Sequence, residues 1–192
     1  MSKRIYNTEM SDQELLAGCL KKNADAQRAL FAKYGERMMG LCLRYAGSRE
    51  EAQDYLQEGF IKVFDKLSQY TGSGSLGGWI STVMVNTALI QLRKKKREGY
   101  SEDIDEIYSL STNDPDVLDK MSADELMQIV TAMPTGYRTV FNLFAIEGFS
   151  HKEIAASLEI SESTSKTQFH KAKAFLKKQI EKLNPLSSQE VK

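Results

Sequence analysis

The chain has 192 residues, 41% of them apolar and 27% charged, which sets aside collagen-like, mucin-like and disordered proteins and leaves one large or two small globular domains. Its 26 basic and 26 acidic residues cancel, which argues against a protein that coats nucleic acid or anionic membrane indiscriminately. The charges are segregated all the same: every residue from Arg93 to Arg97 is basic, whereas the stretch from Glu98 to Glu125 is acidic with Lys120 as its one base.

Cys19 and Cys42 stand alone in apolar surroundings with no CxxC spacing and no histidine cluster, so a disulfide, a metal site and any other cofactor are all unexpected. No apolar run approaches the roughly 20 residues of a membrane span, and the amino terminus lacks the apolar stretch of a signal peptide. A reduced, cytoplasmic protein that does not insert in the membrane is expected.

In chain order, Ser11 and Glu14 have capping-box spacing ahead of a short helix with Leu15, Leu16, Cys19 and Leu20 on its apolar face. From Asp25 to Ala46, the three- and four-residue recurrence of Leu30, Phe31, Tyr34, Met38, Leu41, Cys42 and Tyr45 predicts a long amphipathic helix ended by Gly47. Ser48 and Glu51 repeat the capping spacing before a third helix, which runs to about Gln69 on a stripe from Ala52 to Leu67. Residues 70–75 have loop chemistry, with Ser75 placed to cap a fourth helix from Leu76 to about Arg97. The acidic stretch around Pro115 predicts a linker.

Beyond the linker, Leu126, Ile129, Val130 and Met133 mark a helix stopped by Pro134, and Val140, Phe141, Phe144 and Ile146 mark another stopped by Gly148. Ser150 and Glu153 then cap a short helix to Leu158. A turn at Glu159, Ile160 and Ser161 leads into a longer helix with Thr164, Phe169, Ala172, Leu176 and Ile180 placed inward. That is helix-turn-helix spacing. Its outer face would carry Ser163, Lys166, Thr167, His170 and Lys171, side chains able to reach phosphates and base edges in a major groove.

The basic run from Arg93 to Arg97 shares a helix with Trp79 and follows a glycine-serine loop, a combination suited to single-stranded DNA; Trp79 as a core residue is the alternative. His151 and His170 lack acidic partners at ligand spacing and are expected at the surface. No phosphate-cradling loop, nucleophile elbow or carboxylate pair is present, so no catalytic residues are expected and the chain is not expected to be an enzyme.

This order of parts resembles the extracytoplasmic-function sigma factors of the sigma-70 family. The resemblance covers nearly the whole chain and implies an all-α protein of two small domains. Sigma region 2 would span residues 1–97, an acidic linker 98–122, sigma region 4 123–185 and a disordered tail 186–192. The stretch from Asp54 to Phe64 is similar to the segment that docks on core RNA polymerase, which implies contacts by Asp54, Gln57, Glu58, Phe60 and Phe64. The stretch from Tyr70 to Arg97 is similar to the segments that melt and read the minus-ten element. It implies that the loop and Asn86 hold a flipped base beside Trp79, with Arg93, Lys94 and Arg97 on phosphates.

Pro134 to Phe141 with Glu147 to Ala155 resembles region 4, which implies minus-thirty-five contacts by Thr164, Lys166, Thr167, His170 and Lys171. The implied partners are core RNA polymerase, promoter DNA and an inhibitory anti-sigma factor. Two departures stand out. Gly77-Gly78 replaces the usual helix-forming pair and is expected to loosen the start of its helix, and Glu159 occupies a turn position that commonly wants a positive φ. A stand-alone helix-turn-helix regulator and a protein-only helical adaptor are the competing readings.

Overall fold

The computed structural model describes residues 10–99 and 123–183, and every regular element among them is helical. The chain divides into two compact units, one up to Lys94 and one from Lys95 onward. Apart from Glu98 and Gly99, the linker expected at 98–122 lies outside the described residues, as does the tail expected at 186–192.

The first unit holds α1 (Asp12–Leu20), α2 (Ala24–Tyr45), α3 (Arg49–Lys66) with a closing 3₁₀ turn at Leu67–Gln69, and all but the last three residues of α4 (Leu76–Arg97). The box at α1 is reciprocal: Ser11 Oγ accepts from the Glu14 N–H at 3.3 Å, and the Ser11 N–H donates to the Glu14 carboxylate at 2.8 Å. A hydrogen bond from the Ser11 hydroxyl to the Glu14 carboxylate at 2.7 Å, with that from the Ser11 N–H, holds the Glu14 carboxyl below its ordinary value. The expected box at α3 forms by half. Ser48 Oγ accepts from the Glu51 N–H at 3.1 Å, but the Glu51 carboxylate takes the Gly47 N–H at 2.8 Å and the Tyr55 hydroxyl instead.

Asp12 joins α1 to α2, accepting from Lys33 Nζ at 2.8 Å and from the Tyr34 hydroxyl at 2.6 Å; hydrogen bonds from these two groups hold its carboxyl below the usual range. Beneath them Leu15, Leu30, Met38, Tyr45, Val63, Ile80 and Met84 are fully buried. Each such aliphatic side chain contributes about 1.5–3 kcal/mol relative to exposure. Cys19 and Cys42 are free and buried. Burial pushes the Cys42 thiol up to about 12 and raises that of Cys19, so both serve as small apolar groups rather than nucleophiles.

The start of α4 is not loosened by its two glycines. The Ser75 hydroxyl accepts from the Gly78 N–H at 3.1 Å, and Gly77 is buried where a Cβ would stand 2.9 Å from the Tyr34 ring. The absent side chain lets α4 approach α2, and that packing offsets the low helix propensity of glycine.

The second unit holds α5 (Ala123–Thr131), α6 (Thr135–Phe141), which continues as a π-type turn over Asn142–Ile146, α7 (His151–Leu158) and α8 (Glu162–Leu183). Its core joins Ile129, Val130, Met133, Tyr137, Ala172, Phe175 and Ile180, with Phe141 and Leu176 packed against it. The π turn changes the expected apolar face. With the Glu147 N–H bonded to the Asn142 carbonyl five residues back, the regular helical period breaks; Leu143 turns inward, and Phe144 and Ile146 are left exposed.

Arg138 is buried and donates from Nη1 to the Thr131 carbonyl at 2.7 Å, so it caps the carboxyl end of α5 with a positive charge. α7 ends at Glu159, whose φ of 55° and ψ of 47° are left-handed. A residue with a Cβ is strained there by roughly 1 kcal/mol. Glu159→Gly is therefore expected to be more stable than Glu159→Ala by about 1 kcal/mol in urea titration, a comparison in which both variants lack the carboxylate and only the Cβ differs. Equal stabilities would mean that the turn relaxes without strain.

Candidate functional site

Three surfaces carry the residues singled out in the sequence. On α3, Asp54 and Gln57 are exposed, with Glu58 beside them half-buried. The Glu58 carboxylate already has partners, an ion pair with Lys62 at 2.6 Å and a hydrogen bond from the Gln91 amide of α4. Phe60 does not belong to this surface. It is 4% exposed, with its ring 4.7 Å from Phe31 and 6.1 Å from the half-buried Phe64, so it shapes the face from below. Ile61, one helical turn beyond Gln57 on the same stripe, is 57% exposed and was not singled out, because sequence periodicity marks only the inward stripe.

The second surface is the solvent side of α4 and the loop before it. Gly72 and Gly74 adopt φ of 81° and 75°, and the Tyr70 hydroxyl donates to the Gly74 carbonyl at 2.8 Å, so the loop is closed upon itself. The Trp79 ring lies 5.8 Å from that of Tyr70 and is half-buried, between the core and exposed alternatives. Asn86, Lys94 and Arg97 are exposed; Arg93 is half-buried, its Nε donating to the Leu89 carbonyl at 3.4 Å. Trp79, Asn86, Arg93 and Arg97 share one face of the helix, since 100° per residue brings them within about 40° of one another. The opposite face buries Ile80, Met84 and Ala88.

The third surface is the helix-turn-helix. Both halves are capped by serine: α7 through the reciprocal Ser150–Glu153 box and α8 through Ser161, whose Oγ accepts from the Thr164 N–H at 3.0 Å. Lys166, Thr167 and His170 are exposed along α8. Lys166 is paired with Glu162 at 2.7 Å, and that bond holds the Glu162 carboxyl below its ordinary value. Lys171 is half-buried with its ammonium 5.6 Å above the Tyr137 ring, turned toward the core rather than fully outward. Thr164, expected inside the helix pair, is exposed and shares a hydrogen bond with Ser161 Oγ at 2.8 Å; the adjacent Ser165 takes the buried place.

His151 also departs from expectation. It is half-buried, stacked on Phe144 at 4.4 Å, and its Nδ1 bonds Ser165 Oγ at 2.9 Å, which ties the first turn of α7 to that of α8. Only the tertiary contact between the two helices reveals this role. Lys173, also unmarked by the sequence, is exposed on the same stripe as Lys166 and His170, with its ammonium 5.3 Å from the Phe169 ring.

Among the described residues, no cluster of histidine, cysteine and acidic side chains could hold a metal ion, and no helix is long and apolar enough to cross a membrane. The three surfaces present hydrogen-bonding groups, a partly exposed aromatic and lysine or arginine charge, which equip them for recognition.

Residues 30–98 match the family model of sigma-70 region 2, and residues 123–176 match that of sigma-70 region 4. The chain is 27% identical to the ECF RNA polymerase sigma-E factor of Haemophilus influenzae, over 91% of this chain and 98% of that protein. It is 26% identical to the RNA polymerase sigma-H factor of Pseudomonas aeruginosa, over 92% of this chain and 97% of the relative. Among solved structures it is similar to the sigma factor RpoE crystallised with the anti-sigma factor NepR from Bartonella quintana. That match is 18% identical, covers 82% of this chain and 97% of the other, and has a TM-score of 0.48. With region 2 matched across α2 to α4, region 4 across α5 to α8, and sigma-factor relatives that align over nearly their whole length, the chain belongs to the sigma-70 family as a sigma factor of the extracytoplasmic-function type.

Proposed function

We propose that this protein directs core RNA polymerase to specific promoters and starts transcription in the cytoplasm, with α3 as the polymerase-docking face, α4 and its loop on the minus-ten element, and α8 on the minus-thirty-five element. The observation that carries the reading is the pairing, in one chain, of a helix-turn-helix with a separate unit whose α4 face combines Trp79, Asn86 and guanidinium groups. An aromatic platform and basic flanks suit unstacked bases, whereas exposed lysines on a capped recognition helix suit duplex DNA. A chain with both fits a factor that melts what it has bound.

On α3, Asp54 and Gln57 are free to meet the polymerase, while Glu58 is held in place by Lys62 and Gln91; Ile61 adds an apolar contact at the centre of the face. On α8, Lys166, Thr167 and His170 reach base edges and phosphates, and Lys173 extends the phosphate track by one turn. Lys166 must leave Glu162 to do so, and that exchange weakens its contribution. Two modest contacts on one chain act as a tethered pair, so neither needs high affinity by itself. Family membership further implies an anti-sigma factor that covers these faces until a signal arrives; the chain's own residues supply recognition and positioning, with no catalytic role.

The deciding experiment is run-off transcription from a genomic library with core polymerase, with and without this protein. Discrete new start sites sharing asymmetric upstream elements are the expected result. Binding of the free protein to a palindromic duplex, with no stimulation of polymerase, would point instead to a stand-alone regulator. A lack of salt-dependent DNA affinity even with polymerase present would point to a protein-only adaptor.

A further inference from the structure

We infer that Ile90 is a base-reading residue of α4, placed to meet the C5-methyl group of a thymine in the promoter's minus-ten region. The inference rests on the promoter-binding function proposed above and adds to it a residue and a chemical specificity.

Of the large aliphatic side chains of α4, Leu76, Ile80, Met84 and Leu89 are at most 2% exposed and Leu92 is half-buried, whereas Ile90 is 45% exposed. Its register is what gives that exposure meaning. At 100° per residue, Trp79, Asn86, Ile90, Arg93 and Arg97 fall within about 60° of one another, opposite the buried face. At 1.5 Å per residue, Ile90 stands about 6 Å along the axis from Asn86 and about 4.5 Å from Arg93. An aliphatic group therefore interrupts a line of polar groups, between an amide that can bond a base edge and guanidinium groups that can meet phosphates.

The charge of the face indicates what covers it. The all-basic run from Arg93 to Arg97 continues the same helix end, and its complement is a phosphodiester backbone. Opposite Ile90 there will then be a base or a sugar. Of the groups that bases present on the edge read by proteins, the thymine methyl is the apolar one, and aliphatic side chains are its usual partners.

The test uses holoenzyme assembled from the full chain and core polymerase, on a promoter found by run-off transcription. Each thymine of the minus-ten region is replaced singly by deoxyuridine, which removes only the methyl group, and promoter affinity is measured by competition. Wild type is expected to lose about fourfold at one thymine, the worth of one buried methyl. Ile90→Ala is expected to bind the thymine and uracil promoters equally at that position while keeping its affinity for core polymerase. Wild-type indifference to every substitution would overturn the inference, as would discrimination retained by Ile90→Ala. Loss of polymerase affinity in Ile90→Ala would overturn it too, because the side chain would then be covered by protein. Failure of the wild-type chain to start transcription anywhere is a different result, which removes the sigma-factor reading itself.

Discussion

Asp54→Arg combined with Gln57→Ala is expected to reduce run-off transcription roughly 100-fold and to lower affinity for core polymerase by a similar factor. Both side chains are exposed on α3, so folding should be unaffected to within about 0.5 kcal/mol. Placing a like charge across an interface, or removing a partner of a buried charged contact, typically costs about 2–5 kcal/mol, and every 1.4 kcal/mol is tenfold in binding. Glu58 is the poorer target: its bonds to Lys62 and Gln91 join neighbouring turns of α3 and connect α3 to α4, so its loss would disturb the fold as well as the surface. The measurement pairs fluorescence anisotropy on labelled protein and core polymerase with a thermal melt of the free chain. Transcription that survives the double variant with an unchanged melt would move the docking face off α3.

The second large effect concerns Arg138. Replacing it with Met keeps volume in the core of the second unit but leaves the Thr131 carbonyl without its charged donor, and about 2 kcal/mol of stability should be lost. For a unit of this size that corresponds to a fall of roughly 10 °C in its melting temperature. Hydrogen exchange read by mass spectrometry locates the loss. Amides of α5 to α8 should exchange faster while those of α1 to α4 keep their protection, because the two units have separate cores. Unchanged exchange in α5 would show that the buried guanidinium contributes nothing there.

Caps and periodicity are local properties, and they are where the sequence was most informative. The reciprocal Ser11–Glu14 and Ser150–Glu153 boxes and the long apolar stripes of α2 and α3 need only neighbours three and four residues away. In the one capping box that forms only by half, at Ser48, the two oxygens of the Glu51 carboxylate are taken by the Gly47 N–H and the Tyr55 hydroxyl. The helix-turn-helix was legible for the same local reason, but only the structure shows that Glu159 takes the left-handed conformation at its turn.

Wherever a residue's role depends on what faces it from another element, the linear pattern was silent or misleading. Phe60 lies within the stretch that resembles a polymerase contact, yet Phe31 from α2 covers it; His151 looks like a surface residue until Ser165 and Phe144 enclose it. Gly77 looks like a weak helix start until Tyr34 is seen to need the space. The π turn could not be read from periodicity because it is a break in periodicity, and it left Phe144 and Ile146 outside. The sequence by itself determined which segments are helical, where the two reciprocal serine boxes open a helix, and which family the segments compose, since these follow from bonds and spacings within a few residues. The tertiary structure alone decided which members of each motif face solvent, including Ile61, Ile90 and Lys173, because exposure is set by the packing of one helix against another.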